Sequence, residues 1–172
     1  KYCIPLMTKV AKYLVIALLP VALFVACKQE RQICLTPKTA ILNVSTVHFT
    51  PGVAEPVDSA LPNAYFFALT ASDLQGVQYE RAHAFALSLS PVTDTCLWIM
   101  GTDSLDNGLD TLVFYYKREL QFLSNACGYT YFYNLTGVST TNNNIDSVNI
   151  TNNSVTNNVN TQHLRIYIHP GS

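Results

Sequence analysis

The segment Gln162-His163-Leu164-Arg165-Ile166-Tyr167-Ile168-His169 decides the fold class. In an extended chain Leu164, Ile166 and Ile168 fall on one side, and His163, Arg165, Tyr167 and His169 on the other. A period of two, rich in β-branched and aromatic residues, marks a strand with one buried face. Asp110–Arg118 repeats it, with Leu112, Phe114 and Tyr116 against Thr111, Val113, Tyr115 and Lys117, and so does His83–Ser90, with Phe85, Leu87 and Leu89 on one face. Further strands are expected at Ala40–Phe49, Asn63–Thr70, Thr95–Met100, Leu120–Leu123 (after a bend), Tyr129–Leu135 and Ile145–Val155. Between them lie a loop with Pro51, Pro56 and Pro62, a turn over Ala71–Gly76, and the turn signal Asp106-Asn107-Gly108. After residue 27 no stretch has a helical period of 3.6. Eight or nine short strands separated by turns predict an all-β protein with a single antiparallel β-sandwich, immunoglobulin-like or related.

The beginning of the chain reads differently. Tyr13–Ala26 is a run of 14 residues with no charge, preceded by Lys9 and Lys12. A basic segment followed by a short apolar run is a secretory signal. A spanning helix needs about 20 apolar residues, and this run is shorter and carries Pro20. It ends in Phe24-Val25-Ala26-Cys27. A small residue before a cysteine resembles a bacterial lipobox, with Phe24 where Leu is usual, and marks Cys27 for lipidation. Met7 is the expected start. The expected organisation is a signal peptide over 1–26, a lipidated N-terminus and tether over 27–38, and a sandwich domain over 39–172.

The mature chain keeps seven of the ten basic residues and all 11 acidic ones, a net charge of −4. That excludes the basic surface of a nucleic-acid binder. The 49% hydrophobic fraction excludes general disorder. Of five cysteines, Cys3 precedes the expected start and Cys27 takes lipid, leaving Cys34, Cys96 and Cys127. An exported protein meets an oxidising compartment, so one disulfide is expected. Cys96 sits in the apolar run Cys96-Leu97-Trp98-Ile99-Met100, where a small buried thiol fits. Cys34 and Cys127 lie in polar, turn-like settings and are paired. No C-x-x-C occurs and no Cys stands near a His at ligand spacing, so zinc is not expected.

Catalytic signals are missing at the level of motif: the sequence has no G-x-S-x-G, no G-x-G-x-x-G and no P-loop. Asp103, Asp106, Asn107 and Asp110 form an acidic loop, but the spacing departs from D-x-[DN]-x-[DN]-G, and an ordinary acidic hairpin loop is the reading taken. His163 and His169 would stand about 20 Å apart on one strand, too far to share a metal, and are read as part of a solvated face. Tyr129, Tyr131 and Tyr133 alternate as sheet packing would, or as an aromatic platform for a sugar. Ten Asn between Asn134 and Asn160 fit irregular hairpin loops. Neither a cofactor nor a metal is expected.

Three elements together carry a family resemblance: Asp110-Thr111-Leu112-Val113-Phe114-Tyr115-Tyr116-Lys117-Arg118-Glu119 followed by Ala126-Cys127-Gly128-Tyr129; Ile33-Cys34 with Pro37; and Val155-Thr156-Asn157 leading to His163-Leu164-Arg165-Ile166-Tyr167. With the lipobox they resemble a family of Bacteroidota outer-membrane lipoproteins known as a domain of unknown function, over most of residues 27–169. The resemblance implies an envelope location and an early Cys that recurs with the Cys of Ala126-Cys127-Gly128-Tyr129, in support of the Cys34–Cys127 pairing. It implies no reaction. Asp58-Ser59-Ala60, Asp103-Ser104-Leu105, Asp110-Thr111-Leu112 and Asp146-Ser147-Val148 also resemble the D-[ST]-apolar signal for protein O-glycosylation in Bacteroidota. That makes Ser59, Ser104 and Ser147 candidate acceptors, with Thr111, at a strand start, the poorest. The expected protein is a non-enzymatic outer-membrane lipoprotein, an accessory or interaction module that meets the membrane through its lipid and an envelope protein partner through its sandwich. A surface glycan- or ligand-binding lipoprotein is the alternative. Lys28-Gln29-Glu30-Arg31 supplies one acid where surface export in this group tends to follow an acidic cluster, so the periplasmic face is favoured over the cell surface.

Overall fold

The computed structural model describes residues 33–69, 74–103 and 108–169. The described residues contain no helix. The strands are β1 (Ile41–His48), β2 (Val57–Asp58), β3 (Leu61–Leu69), β4 (Leu74–Ala82), β5 (Ala84–Ser88), β6 (Thr95–Gly101), β7 (Asp110–Ser124), β8 (Gly128–Thr140), β9 (Ile145–Ile150), β10 (Ser154–Val155) and β11 (Leu164–Ile168). They form two sheets. One runs β2-β1-β11-β9, with β5 also paired to β1, and the other runs β10-β8-β7-β6-β3-β4.

The alternating residues meet between the sheets as their pattern requires. From the five-stranded sheet come Leu42, Val44, Phe85, Leu87, Leu164, Ile166 and Ile168; from the six-stranded sheet come Phe66, Trp98, Met100, Leu112, Phe114, Tyr116 and Leu135, all buried. Fully burying one such side chain contributes about 1.5–3 kcal/mol, so this layer is the main source of stability. The Tyr116 hydroxyl fastens one edge of it, accepting from Ser90 N at 2.9 Å and donating to Ser90 O at 3.1 Å. Burial, with Cys96 and Tyr133 nearby, pushes its pKa up to about 12, so it stays a donor throughout the ordinary pH range.

Several expectations are corrected. The sandwich is mostly antiparallel, but β1 and β11 pair in parallel, Val44 opposite Leu164 and Val47 opposite Tyr167. The last strand enters the sheet between β1 and β9, a long-range choice that strand periodicity does not encode. The expected turn over Ala71–Gly76 runs into strand β4, whose residues from Gly76 on are mostly exposed, with Tyr79 and Ala82 packed against the core. Two core contacts three residues apart on an edge strand, at Tyr79 and Ala82, leave no alternation to read. The bend before Leu120 does not exist: β7 runs unbroken to Ser124, and an irregularity after Tyr115 shifts its register against β8.

The outer face of β3 carries two aromatic-over-glycine pairs. Tyr65 lies opposite Gly101 and Phe67 opposite Gly76. A Cβ on either glycine would overlap the facing ring. The missing side chain is what lets each ring lie flat across its neighbouring strand.

Candidate functional site

β7 and β8 are longer than the strands around them, and their distal halves form a hairpin closed by Ser124–Gly128. Gly128 takes φ +72°, a left-handed conformation that suits glycine, and Cys127 N donates to Ser124 Oγ at 3.0 Å. These contacts turn the Cys127 side chain inward, where it is 5% exposed and joined by a disulfide to Cys34, with Cα atoms 4.8 Å apart. The expected pairing is therefore the observed one. Cys96 is free and half-buried, with its Sγ towards Ser88 O, and burial raises its pKa. The segment after Cys34 is held by the hairpin and by the chain after β10: Thr130 Oγ1 donates to Lys38 O, and Asn157 Nδ2 to Pro37 O at 3.2 Å.

The hairpin continues the core-facing side of its sheet beyond the core. Cross-strand partners share a face, so Tyr116/Leu135, Arg118/Tyr133, Leu120/Tyr131 and Phe122/Tyr129 form one row. The first pair is buried. Tyr133 is buried too, with its hydroxyl donating to Leu89 O, and burial raises its pKa. Arg118 closes the row at the core's edge: its Nε donates to Asp94 Oδ1 at 2.6 Å and its Nη1 to Pro91 O at 2.8 Å. Past Arg118, Leu120 and Phe122 are about half exposed, and Tyr129 is 65% exposed with its ring 5.1 Å from that of Phe122. The tyrosine stripe is thus divided. Tyr133 is sheet packing, while Tyr129 and Tyr131 are presented to the surroundings.

A second feature is a cleft of about 420 Å³ beside β1 and β5. Its polar side chains are largely committed. Asn43 Nδ2 donates to Val159 O and Thr161 O, both at 2.8 Å, and Gln162 Nε2 donates to Ser45 Oγ. His83 and Asp58 face each other at its rim, 3.7 Å apart and both well exposed. A His–carboxylate pair is the arrangement a general base uses, but here the serine of the cleft is held by Gln162.

Asp110 is buried and serves the framework. Its Oδ1 accepts from Thr141 Oγ1 at 2.8 Å and Asn143 N at 2.9 Å, and its Oδ2 from Asn144 N at 2.8 Å. One carboxylate of the acidic loop is thus occupied by the framework, and Asp106 and Asn107 lie outside the described residues. His163 corrects the solvated-face reading. It is fully buried, its Nδ1 accepts Asn43 N–H at 3.0 Å, and its N donates to Asn43 O at 3.0 Å. It precedes β11 at a point where three backbone segments meet, since Thr151 N and Asn152 N both donate to its carbonyl. Burial pushes its pKa down, opposed by the Ser154 and Asn43 backbones.

The family of unknown function DUF6452 matches residues 67–168, well over half of the chain. The chain belongs to this family. The DUF6452 region begins within β3 and ends on the last residue of β11, so it takes in Asp110, the hairpin and Cys127 but leaves out β1, β2 and Cys34. It is shorter than the span of the resemblance, 27–169. No curated protein and no solved structure matches the chain.

The structure places the sequence-derived candidates apart. Cys27 lies outside the described residues, as does Ser104. Ser59 is half-buried and pinned by both backbone groups to Thr46, its N donating to Thr46 O and its carbonyl accepting from Thr46 Oγ1. Ser147 is exposed on β9, at the end of its sheet, beside Asp146, whose carboxylate pairs with His169 at 2.6 Å. Thr111 belongs to the framework through its backbone, whose N and O pair with Thr141. Sequence reading offered Tyr129 and Tyr131 as part of an aromatic platform but missed that Leu120 and Phe122 join them in one exposed row. Leu120, Phe122, Tyr129 and Tyr131 carried the signal, but alternation alone does not say where the facing sheet stops.

Proposed function

We propose that this DUF6452 protein is a Bacteroidota outer-membrane lipoprotein, held by lipid on Cys27, whose β-sandwich is a non-enzymatic interaction module of the cell envelope. The observation that carries the reading is the Cys34–Cys127 disulfide. It fits export to an oxidising compartment. It also ties the chain seven residues beyond Cys27 into the sandwich, so that an anchor there would hold the whole fold and not a fraying end. Each buried lipid methylene contributes about 0.8 kcal/mol, and two or more acyl chains give stable attachment. The committed polar groups of the β1–β5 cleft argue for a packing role there over ligand capture. Ser147 is the most accessible of the described O-glycosylation candidates.

Fractionation of cells carrying the native protein and Cys27→Ser tests the reading. The native protein is expected in the outer membrane, and the variant soluble or unprocessed. A variant that reaches the outer membrane at the mature size overturns lipid anchoring. Protease treatment of intact cells reads the leaflet: survival of the mature domain supports the periplasmic face, and its rapid loss places it on the cell surface.

A further inference from the structure

We infer that the distal β7–β8 hairpin is the membrane-facing end of the molecule, and that Leu120, Phe122, Tyr129 and Tyr131 rest in the interfacial layer of the bilayer that holds the lipid. The inference rests on the anchoring proposed above and adds an orientation and a contact surface to it.

Three observations converge on this end. The first is covalent. Cys34 is bonded to Cys127 in the hairpin turn. Cys34 lies seven residues after Cys27, and an extended chain spans at most about 3.6 Å per residue, or about 25 Å in all. The 15 residues of β7 run for about 50 Å. A lipid on Cys27 is therefore leashed to the hairpin end and not to the Asp110 end.

The second is the surface itself. Leu120, Phe122, Tyr129 and Tyr131 are all exposed and share one face of a two-stranded ribbon. Leu35, one residue past the disulfide, is 90% exposed. Tyrosine has an apolar ring and a polar tip, which suits it to a boundary between hydrocarbon and water.

The third is charge. The stretch from Cys27 to Lys38 carries Lys28, Arg31 and Lys38 against Glu30, while around the hairpin Lys117 and Arg118 are balanced by Glu119 and Asp94, the latter in an ion pair with Arg118. The rest of the mature chain has two basic residues, Arg81 and Arg165, against eight acidic ones. An anionic lipid surface attracts the basic tether, which joins the fold at the hairpin turn, and repels the acidic remainder, which turns the hairpin end towards the membrane.

Lipid-attached full-length protein, reconstituted in phosphatidylethanolamine/phosphatidylglycerol vesicles with bromine on the upper acyl carbons, tests the contact. Tryptophan is placed at the hairpin by Phe122→Trp or Leu120→Trp, both exposed sites, and at the opposite end of β7 by Leu109→Trp. Trp98 is buried and serves as the common baseline. An interfacial side chain sits about 5–10 Å into the headgroup–acyl boundary, so the added emission at 122 and at 120 should fall by roughly half, while that at 109 is unchanged. The mass of the reconstituted protein is measured on the same sample. If Cys27 carries lipid and the hairpin tryptophans are unquenched, or position 109 is quenched equally, the orientation is wrong and the anchoring stands. If the same variants instead show concentration-dependent self-association with the tryptophans protected, the face belongs to a second copy and the membrane contact is overturned. If Cys27 carries no lipid, the anchoring fails and the orientation falls with it.

Discussion

Replacing Asp110 should unfold the protein far more readily than its place at a strand end suggests. Its carboxylate is 1% exposed and accepts three hydrogen bonds, two from the backbone of Asn143 and Asn144 and one from Thr141. Thr141 Oγ1 in turn accepts Thr111 N–H at 2.9 Å, so the carboxylate indirectly sets the first rung of β7 against the β8–β9 turn. Asp110→Ala leaves three donors without their acceptor. Hydrogen bonds to charged groups contribute about 1.5–3 kcal/mol each, and water reaching this partly buried turn recovers some of that. The expected loss is about 3 kcal/mol. Asp110→Asn keeps one oxygen but sets an amide N–H against Asn144 N–H, a donor facing a donor, and should lose about 2 kcal/mol. Urea unfolding followed through Trp98 fluorescence, with the disulfide intact, reads both. With a slope of about 1.5 kcal/mol/M, the alanine variant's midpoint falls by about 2 M. A loss below about 1 kcal/mol for alanine, or an asparagine variant as stable as the native protein, would refute the role given to this carboxylate.

Removing the disulfide by Cys34→Ser or Cys127→Ser should cost about 4–5 kcal/mol if unfolded-chain entropy governs, since it closes a separation of 93 residues; Cys96→Ala should cost clearly less in the same thermal melts. The pH dependence of stability should carry a His163 signature. Its folded pKa is lowered by burial, so the unfolded chain takes up the proton first as pH falls. The stabilisation is complete above about pH 6.5 and is lost below it with a slope of at most about 1.4 kcal/mol per pH unit, until the buried ring itself protonates. His163→Asn should flatten urea midpoints between pH 7 and 5 relative to the native protein, and parallel profiles would contradict the assignment. Gly101→Val should cost about 1–3 kcal/mol by driving a side chain into the Tyr65 ring, and combining it with Tyr65→Ala in a double-mutant cycle should recover part of that loss.

The alternation of Leu164, Ile166 and Ile168, and of Leu112, Phe114 and Tyr116, is enough to give the sandwich, because a half-buried strand must repeat every second residue. The disulfide was legible for a similar reason: Cys34 and Cys127 sit among turn residues, while Cys96 sits in a strand. Three things were not legible. The parallel pairing of β1 with β11 depends on which strand the last one finds, and nothing local to either encodes it. β4 is an exposed edge that meets the core only at Tyr79 and Ala82, three residues apart, so it lacks the alternation that would announce it. His163 and the tyrosine stripe each ask whether a given face is covered. His163 is covered by the Asn43 and Thr151–Asn152 backbones and Tyr133 by the core, whereas Tyr129 and Tyr131 lie past the point where the opposing sheet ends. Coverage is a property of the packed molecule, and so the division between core and candidate contact surface emerges only from the fold.

The central claim, attachment through Cys27, is tested most directly by mass spectrometry of the N-terminal peptide from protein extracted with detergent from its native membrane. The mature chain is expected to begin at Cys27, with acyl groups on its thiol and amine. A chain that begins at any other residue, or a Cys27 peptide of unmodified mass, would contradict it.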